Sequence, residues 1–159
     1  FMEFHQYKER YSDKILFNAK MKQSYISHVK LFATSAVIIG VLLYLIIVKP
    51  WGYEAGFDEQ MSDLSIKVSI LGGFGYLFLT FGMLNVLYLY TLNVQKAALR
   101  ILIISLSVNI ITGLAFSRMV SYEYAVIGML IGSIVFAFLT TRFTLKFFNK
   151  LDYYYYASY

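Results

Sequence analysis

The chain has 159 residues, of which 59% are hydrophobic and only 14% are charged, and its mean hydropathy is +0.62. A soluble domain of this length needs far more charge, so the composition favours a membrane protein. The absence of Cys excludes a disulfide framework and a thiolate metal site. The two His, His5 and His28, have no partner at metal-ligand spacing, and we therefore expect no metal and no cofactor.

The N-terminal segment 1–30 is polar but places apolar residues at every third or fourth position, which is one face of a helix. With Lys and Arg on its other face, this amphipathic helix is expected to lie in or near the cytoplasmic interface and to turn into the membrane around residues 27–30. The sequence leaves two roles open for this helix: a solvated connection between two bundles, or a sensor at the membrane surface. The apolar face consists of Phe4, Tyr7, Tyr11, Ile15, Asn18, Met21 or Lys22, and Tyr25 or Ile26.

The first residue, Phe1, is not an initiator Met, and no signal-peptide pattern follows it. We therefore expect the chain to begin within a longer protein. A true start at Met2 is the alternative.

Four apolar stretches follow, at about 31–48, 68–93, 100–117 and 124–147. At about 1.5 Å per residue even the shorter stretches come close to the thickness of a bilayer's hydrocarbon core. Hydrocarbon cannot hydrogen-bond a peptide group, so stretches of this kind cross it as helices. We predict an all-α polytopic membrane bundle over residues 31–152, with four transmembrane helices and a Tyr-rich cytoplasmic tail at 153–159.

The distribution of the 14 Lys and Arg residues indicates the orientation of the bundle. Lys49, Lys67 and Arg118 fall on one side of the predicted membrane, and the other eleven fall on the opposite side. Loops rich in Lys and Arg remain in the cytoplasm, so both termini are expected there and the protein in the cytoplasmic membrane. The net charge of +5 then reflects membrane topology and anionic lipid rather than nucleic acid.

Small residues in the second and fourth stretches predict close helix contacts. Gly75 and Gly82 lie near one another on a helix, and Gly128 and Gly132 form a small-x-x-x-small pair. A flexible hinge at the run of glycines, 72–75, is the alternative. Ser62 or Asp63 is expected to cap the second helix, which is long enough that it must tilt, bend or extend beyond the membrane.

Uncharged polar residues at membrane depth are the internal candidates for chemistry. They can hydrogen-bond a neighbouring helix, their own backbone or a hydroxyl-rich ligand, but they cannot act as strong acids or bases. The four stretches contain no carboxylate and no nucleophile constellation, so we expect no ion-coupling site within them and no enzyme activity. The main polar residues are Asn85, Ser105, Ser107, Asn109 and Thr112.

Several short segments, in the same order along the chain, resemble one known family. Residues 3–15 (EFHQYKERYSDKI) resemble the E-F-x-x-Y-x-x-x-Y-x-x-x-I segment that precedes the last four helices of the Pel exopolysaccharide transporters. Residues 87–93 (LYLYTLN), with 96–99 (KAAL), are similar to their Y-Y-F-D turn and its basic residue. Residues 108–112 (VNIIT) resemble their L-N-x-x-L-T, and 151–153 (LDY) resembles the L-E-Y near their C-terminus.

The chain departs from this family in two places. Asn93 stands where the family turn has Asp, and residues 122–125 (YEYA) stand where the family usually has Y-G-Y-G. A role that depends on the charge of that Asp, or on those glycines, therefore does not carry over to this chain.

The resemblance implies a member of the multidrug/oligosaccharidyl-lipid/polysaccharide flippase superfamily, with this chain as the last four of about twelve helices. It implies a transporter that exports a biofilm exopolysaccharide or its precursor, by alternating access between two bundles or together with a synthase. The implied partners are the missing N-terminal helices of the same polypeptide and a glycosyltransferase. Within this reading the substrate-lining candidates are Asn85, Asn109 and Thr112, and the cytoplasmic-turn candidates are Asn93, Lys96 and Arg100.

The alternative is a self-contained four-helix accessory or scaffold protein of a polysaccharide synthesis complex. Its basic cytoplasmic face would then be the contact surface for the synthase. The residues of that face are Lys96, Arg100, Lys146 and Lys150.

Overall fold

A computed structural model describes residues 2–48, 52, 54, 56, 61–91 and 94–148, with side chains described at residue 16 and from residue 18 onward, except residue 48. Its main elements are four long helices and one turn of 3₁₀ helix. In chain order they are α1 (Met2–Val48), α2 (Asp63–Thr91), α3 (Gln95–Met119), the 3₁₀ turn (Tyr122–Tyr124) and α4 (Ala125–Phe148).

Within the described residues the fold is all-helical, as predicted, and four segments are long and apolar enough to cross a membrane. The segments within the described residues are Asn18–Ile47, Asp63–Thr91, Gln95–Met119 and Tyr122–Phe148. The Tyr-rich tail at 153–159 lies outside the described residues.

The first helix runs from Met2 to Val48 without a break, so the turn expected around residues 27–30 does not occur. Neither Pro nor Gly occurs between Met2 and Ala36, and no residue there forces the backbone out of the helix. At about 1.5 Å per residue, its 47 residues extend over about 70 Å, well beyond the 40–45 Å of a bilayer with its headgroups. Part of α1 must therefore project from the membrane.

The fourth helix is the centre of the bundle, because it packs along both α2 and α3 while α2 and α3 have few contacts with each other. Buried residues recur along its length at the spacing of a helix face. They are Gly128, Gly132, Ser133, Phe136, Ala137, Thr140, Thr144 and Phe147.

Glycines allow α4 to approach its neighbours, as the sequence predicts. A Cβ on Gly132 would lie 2.5 Å from Asn109 Cβ, and a Cβ on Gly128 would lie 2.7 Å from Asn109 O and would overlap the backbone of Gly113. A Cβ on Gly82 would overlap the ring of Phe136. These positions need a residue without a side chain, so the glycines serve helix packing.

The two ends of the bundle are called the Asp63 end and the Thr91 end, after the first and last residues of α2. The Asp63 end also holds the end of α3 and the start of α4, and the Thr91 end holds the start of α3 and the end of α4. At the Asp63 end, the hydroxyl of Ser62 accepts a hydrogen bond from the backbone N–H of Ser65 at 3.2 Å. Ser62 is therefore the cap of α2, one of the two residues that the sequence offers.

Among the described residues, the first helix packs on the half of the bundle toward the Thr91 end. Its contacts with α2 extend to Phe32, whose ring centroid lies 5.9 Å from that of Phe81. No described residue between Leu31 and Ile47 is buried, and a Cβ on Gly40 would have no described atom within 4 Å. This half of α1 is apolar on all sides and exposes those sides to lipid or to other helices.

We expect Gly128→Ala to destabilise the fold by about 1–3 kcal/mol, because the new methyl group meets the backbone of α3, which cannot move aside as a side chain can. The measurement is thermal unfolding in detergent, followed by circular dichroism and by the monodisperse fraction after heating.

The matched control is Gly73→Ala on α2, where a Cβ would have no described atom within 4 Å. There Ala should be neutral or stabilising by up to about 1 kcal/mol, since Ala favours a helix over Gly. Equal effects of the two substitutions would contradict the assigned packing.

Candidate functional site

The fully buried side chain of Asn85 forms hydrogen bonds that join three helices. Its side chain is 0% exposed. The Tyr25 hydroxyl on α1 donates to Asn85 Oδ1 at 2.7 Å, and Asn85 Nδ2 donates to Thr141 Oγ1 on α4 at 2.9 Å. The Thr141 hydroxyl in turn donates to the Ala137 carbonyl at 2.6 Å. The amide therefore uses its acceptor and one donor to connect α1, α2 and α4.

The position of Asn85 follows from the helical repeat of α2. The buried residues of α2 are Gly75, Gly82, Asn85 and Leu89, at spacings of seven, three and four residues. This spacing places them on one face of the helix. Because Gly82 lets α4 approach one turn earlier, Asn85 comes within hydrogen-bonding distance of Thr141.

Three aromatic rings surround the hydrogen bonds. The ring centroid of Tyr25 lies 5.2 Å from that of Tyr88, with the planes at 85°, and 5.1 Å from that of Phe148. The centroids of Tyr88 and Phe148 are 6.2 Å apart. Edge-to-face pairs at such distances stabilise by about 0.5–1.5 kcal/mol each beyond their buried area. We call Tyr25, Asn85, Tyr88, Thr141 and Phe148 the Asn85 cluster.

His28 borders the Asn85 cluster on its exposed side. Its Nδ1 lies 2.8 Å from the Ser24 carbonyl oxygen and 2.8 Å from the Tyr88 hydroxyl. The same nitrogen makes both contacts, so the tautomer decides their roles: a protonated Nδ1 donates to Ser24 O, and an unprotonated Nδ1 accepts from the Tyr88 hydroxyl. The contact with Tyr88 is a second connection between α1 and α2.

Apolar contacts continue from the Asn85 cluster toward the Thr91 end. Leu89, Ala98 and Phe147 are buried there, and Met21 of α1 packs against them. The amphipathic face predicted for α1 left two positions open. Met21 is half-buried and Tyr25 is buried, whereas their alternatives Lys22 and Ile26 are exposed. Side chains from all four helices thus meet at this end of the bundle.

The groups of the Asn85 cluster can hydrogen-bond and stack but are neutral. The cluster contains no carboxylate, and its hydrogen bonds join α1, α2 and α4. The Thr144 hydroxyl, fully buried on α4, has no hydrogen-bond partner in the described part of the chain.

The sequence-predicted lining residues lie at separate places. Asn109 is half-buried on α3 against Gly132. The Thr112 hydroxyl donates to the Val108 carbonyl of its own helix at 2.7 Å. Asn85 and Asn109 contact α4 at Thr141 and Gly132, which are about 14 Å apart along the helix. The two amides thus contact α4 at different levels of the bundle.

The structure describes two of the three cytoplasmic-turn candidates. Lys96 and Arg100 are exposed on the first turns of α3, and Asn93 lies outside the described residues. Tyr25, Tyr88 and Thr141 are site residues that the sequence did not predict. Tyr25 did fall on the predicted face of α1, but nothing local indicated that it would meet an Asn that lies 60 residues further along the chain.

No known family model, characterised protein or solved structure matches this chain. The resemblance to the Pel exopolysaccharide transporters thus stays a prediction from the sequence.

We expect Tyr25→Phe to destabilise the attachment of α1 by about 1 kcal/mol, because the Asn85 oxygen loses its donor while it stays buried. Thermal unfolding in detergent, together with limited proteolysis of α1, measures the effect. The double variant Tyr25→Phe/Asn85→Leu should cost less than the sum of the single changes, since it removes both ends of the hydrogen bond.

Two controls separate this hydrogen bond from general effects of lost hydroxyls. Tyr44→Phe, at an exposed tyrosine of the same helix, should change nothing, and Thr144→Val should be neutral or stabilising because its hydroxyl has no described partner. Strictly additive effects of Tyr25→Phe and Asn85→Leu would show that the two residues are not coupled.

Proposed function

We propose that this chain is the C-terminal part of a flippase-like transporter that exports an exopolysaccharide or its precursor across the cytoplasmic membrane, with both termini in the cytoplasm. It acts by alternating access or together with a synthase, and it is not itself an enzyme. The resemblance of its segments to the Pel exopolysaccharide transporters supports this proposal, as does the set of four helices with neutral polar residues at membrane depth.

The single structural observation that supports it most is the open side of the bundle. The first helix contacts the bundle near the Thr91 end and leaves its other half without a buried residue. The exposed face of such a bundle can pack against further helices, as the two halves of an alternating-access transporter pack against each other. In the proposal, those helices are the N-terminal part of a twelve-helix polypeptide.

Among the lining candidates, Asn109 is the best placed to contact a substrate. Its amide is half-buried and has no hydrogen-bond partner among the described residues, whereas Asn85 and Thr112 already use their polar groups within the bundle. An amide with free donors and a free acceptor suits the hydroxyl groups of a sugar.

We expect Asn109→Ala to lower export about tenfold, in cells that depend on this gene for secretion, if a sugar hydroxyl binds the amide. The substitution retains the Cβ that packs against Gly132, so the contact between α3 and α4 is preserved. The readout is secreted polysaccharide relative to polymer or lipid-linked precursor retained in the cell, at equal amounts of protein in the membrane.

Ser107→Ala is the matched control, because that exposed hydroxyl donates to the carbonyl of Ile103 in its own helix. Undiminished export by the Asn109→Ala protein would exclude Asn109 as a lining residue. Undiminished export after deletion of the whole gene would exclude the proposed role in polysaccharide export.

A scaffold for a polysaccharide synthase is the second candidate, and the charge at the Thr91 end favours it. All the described Lys and Arg side chains at that end are exposed, and the described side chains there include no carboxylate. Such a surface attracts an acidic partner and raises its rate of association. The residues are Lys20, Lys22, Lys30, Lys96, Arg100, Arg142 and Lys146.

Charge reversal at Lys96 and Arg100 together should break the association with a synthase and leave the thermal stability of the bundle unchanged, because both side chains are exposed. Co-purification of the synthase from crosslinked membranes tests this. Arg118→Glu, an exposed basic residue at the Asp63 end, is the control and should keep the association. Retention of the synthase by the Lys96/Arg100 variant would rule out this surface.

A further inference from the structure

A cavity of about 280 Å³ lies at the Asp63 end, between the first turns of α2 and the start of α4. Its walls are mainly aliphatic, with Leu64, Val68 and Leu71 from α2 and Val126 from α4. Two oppositely charged residues, Lys67 and Glu123, also line it. The cavity is therefore an apolar groove with one cation and one anion at its border.

The two charges are available to a ligand. The Lys67 side chain is exposed. Glu123 is half-buried, and the contact of its carboxylate with the Ser121 hydroxyl is long, at 3.5 Å. Neither group has an ion-pair partner of opposite charge among the described residues.

The groove lies where two membrane-spanning segments begin. These segments, Asp63–Thr91 and Tyr122–Phe148, start within a few residues of Lys67 and Glu123. The charged border is thus at the depth of the lipid headgroups, and the aliphatic wall extends toward the acyl chains.

We propose that this groove binds a zwitterionic phospholipid, phosphatidylethanolamine. An acyl chain packs on Val68, Leu71 and Val126, the phosphate pairs with the Lys67 ammonium, and the lipid ammonium pairs with the Glu123 carboxylate. The pairing of one cation with one anion matches a headgroup that carries both charges, whereas an anionic headgroup would be repelled by Glu123.

The same features distinguish this groove from a polysaccharide site. A sugar needs several hydrogen-bonding groups around it, and apart from Tyr124 and the two charged residues the walls of the groove are aliphatic. The volume of about 280 Å³ is also at the lower limit of pockets for drug-sized molecules, which suits part of one acyl chain. This inference does not depend on the proposed transport function.

The test is native mass spectrometry of the full chain in detergent, titrated with phosphatidylethanolamine or phosphatidylglycerol of identical acyl chains. The wild type should bind phosphatidylethanolamine about tenfold more tightly than phosphatidylglycerol. Lys67→Gln should weaken both lipids about tenfold. Glu123→Gln should weaken phosphatidylethanolamine, strengthen phosphatidylglycerol and leave the two lipids with similar affinities.

Matched controls are Arg118→Gln and Asp63→Asn, charged residues at the same end that do not line the groove, and both should bind as the wild type does. Leu64→Trp should fill the groove and displace lipid, whereas Leu114→Trp, an exposed residue outside it, should not. Circular dichroism and size-exclusion profiles show that each variant is folded. Equal binding of the two lipids by the wild type, or unchanged binding in both charge variants, would overturn the proposal.

Discussion

Contact between α3 and α4 depends on two positions that have no side chain. At Gly128 and Gly132, the backbone of α4 lies so close to Gly113 and Asn109 that even a methyl group would overlap α3. Lipid tails are as apolar as Leu, so helices in a membrane gain little from burying apolar surface and rely on close packing. This approach fixes α4 as the central helix, and α2 then packs on its other side through Gly82 and Phe136.

The polar contacts follow from that packing. Once α2 lies against α4, the Asn85 amide has no water to bind and must find partners within the protein. Thr141 supplies one partner, and Tyr25 supplies the other from α1. The first helix is therefore held by directional bonds and aromatic contacts at one end, while the rest of it remains exposed.

The sequence predicted much of the fold and less of the site. The four apolar spans, a cap at Ser62 or Asp63 and the packing role of Gly82, Gly128 and Gly132 followed from composition and spacing, because these features depend on neighbours within one or two turns. The continuous helix through residues 27–30 was missed, since a change from amphipathic to apolar residues resembles a boundary although the backbone has no reason to break there. Asn85 was chosen as a lining candidate because it is polar, but the sequence did not show that it hydrogen-bonds to two other helices.

By itself the sequence determined that this chain forms membrane-spanning helices with basic residues at their ends, because helix length, hydropathy and charge are local properties. Only the tertiary structure decided that Asn85 meets Tyr25 and Thr141, residues 60 and 56 positions away, and that Asn109 lies apart from it. It also brought Lys67 and Glu123 to one groove. Such pairings depend on how helices are rotated and stacked against each other, and the period of a single helix does not contain that information.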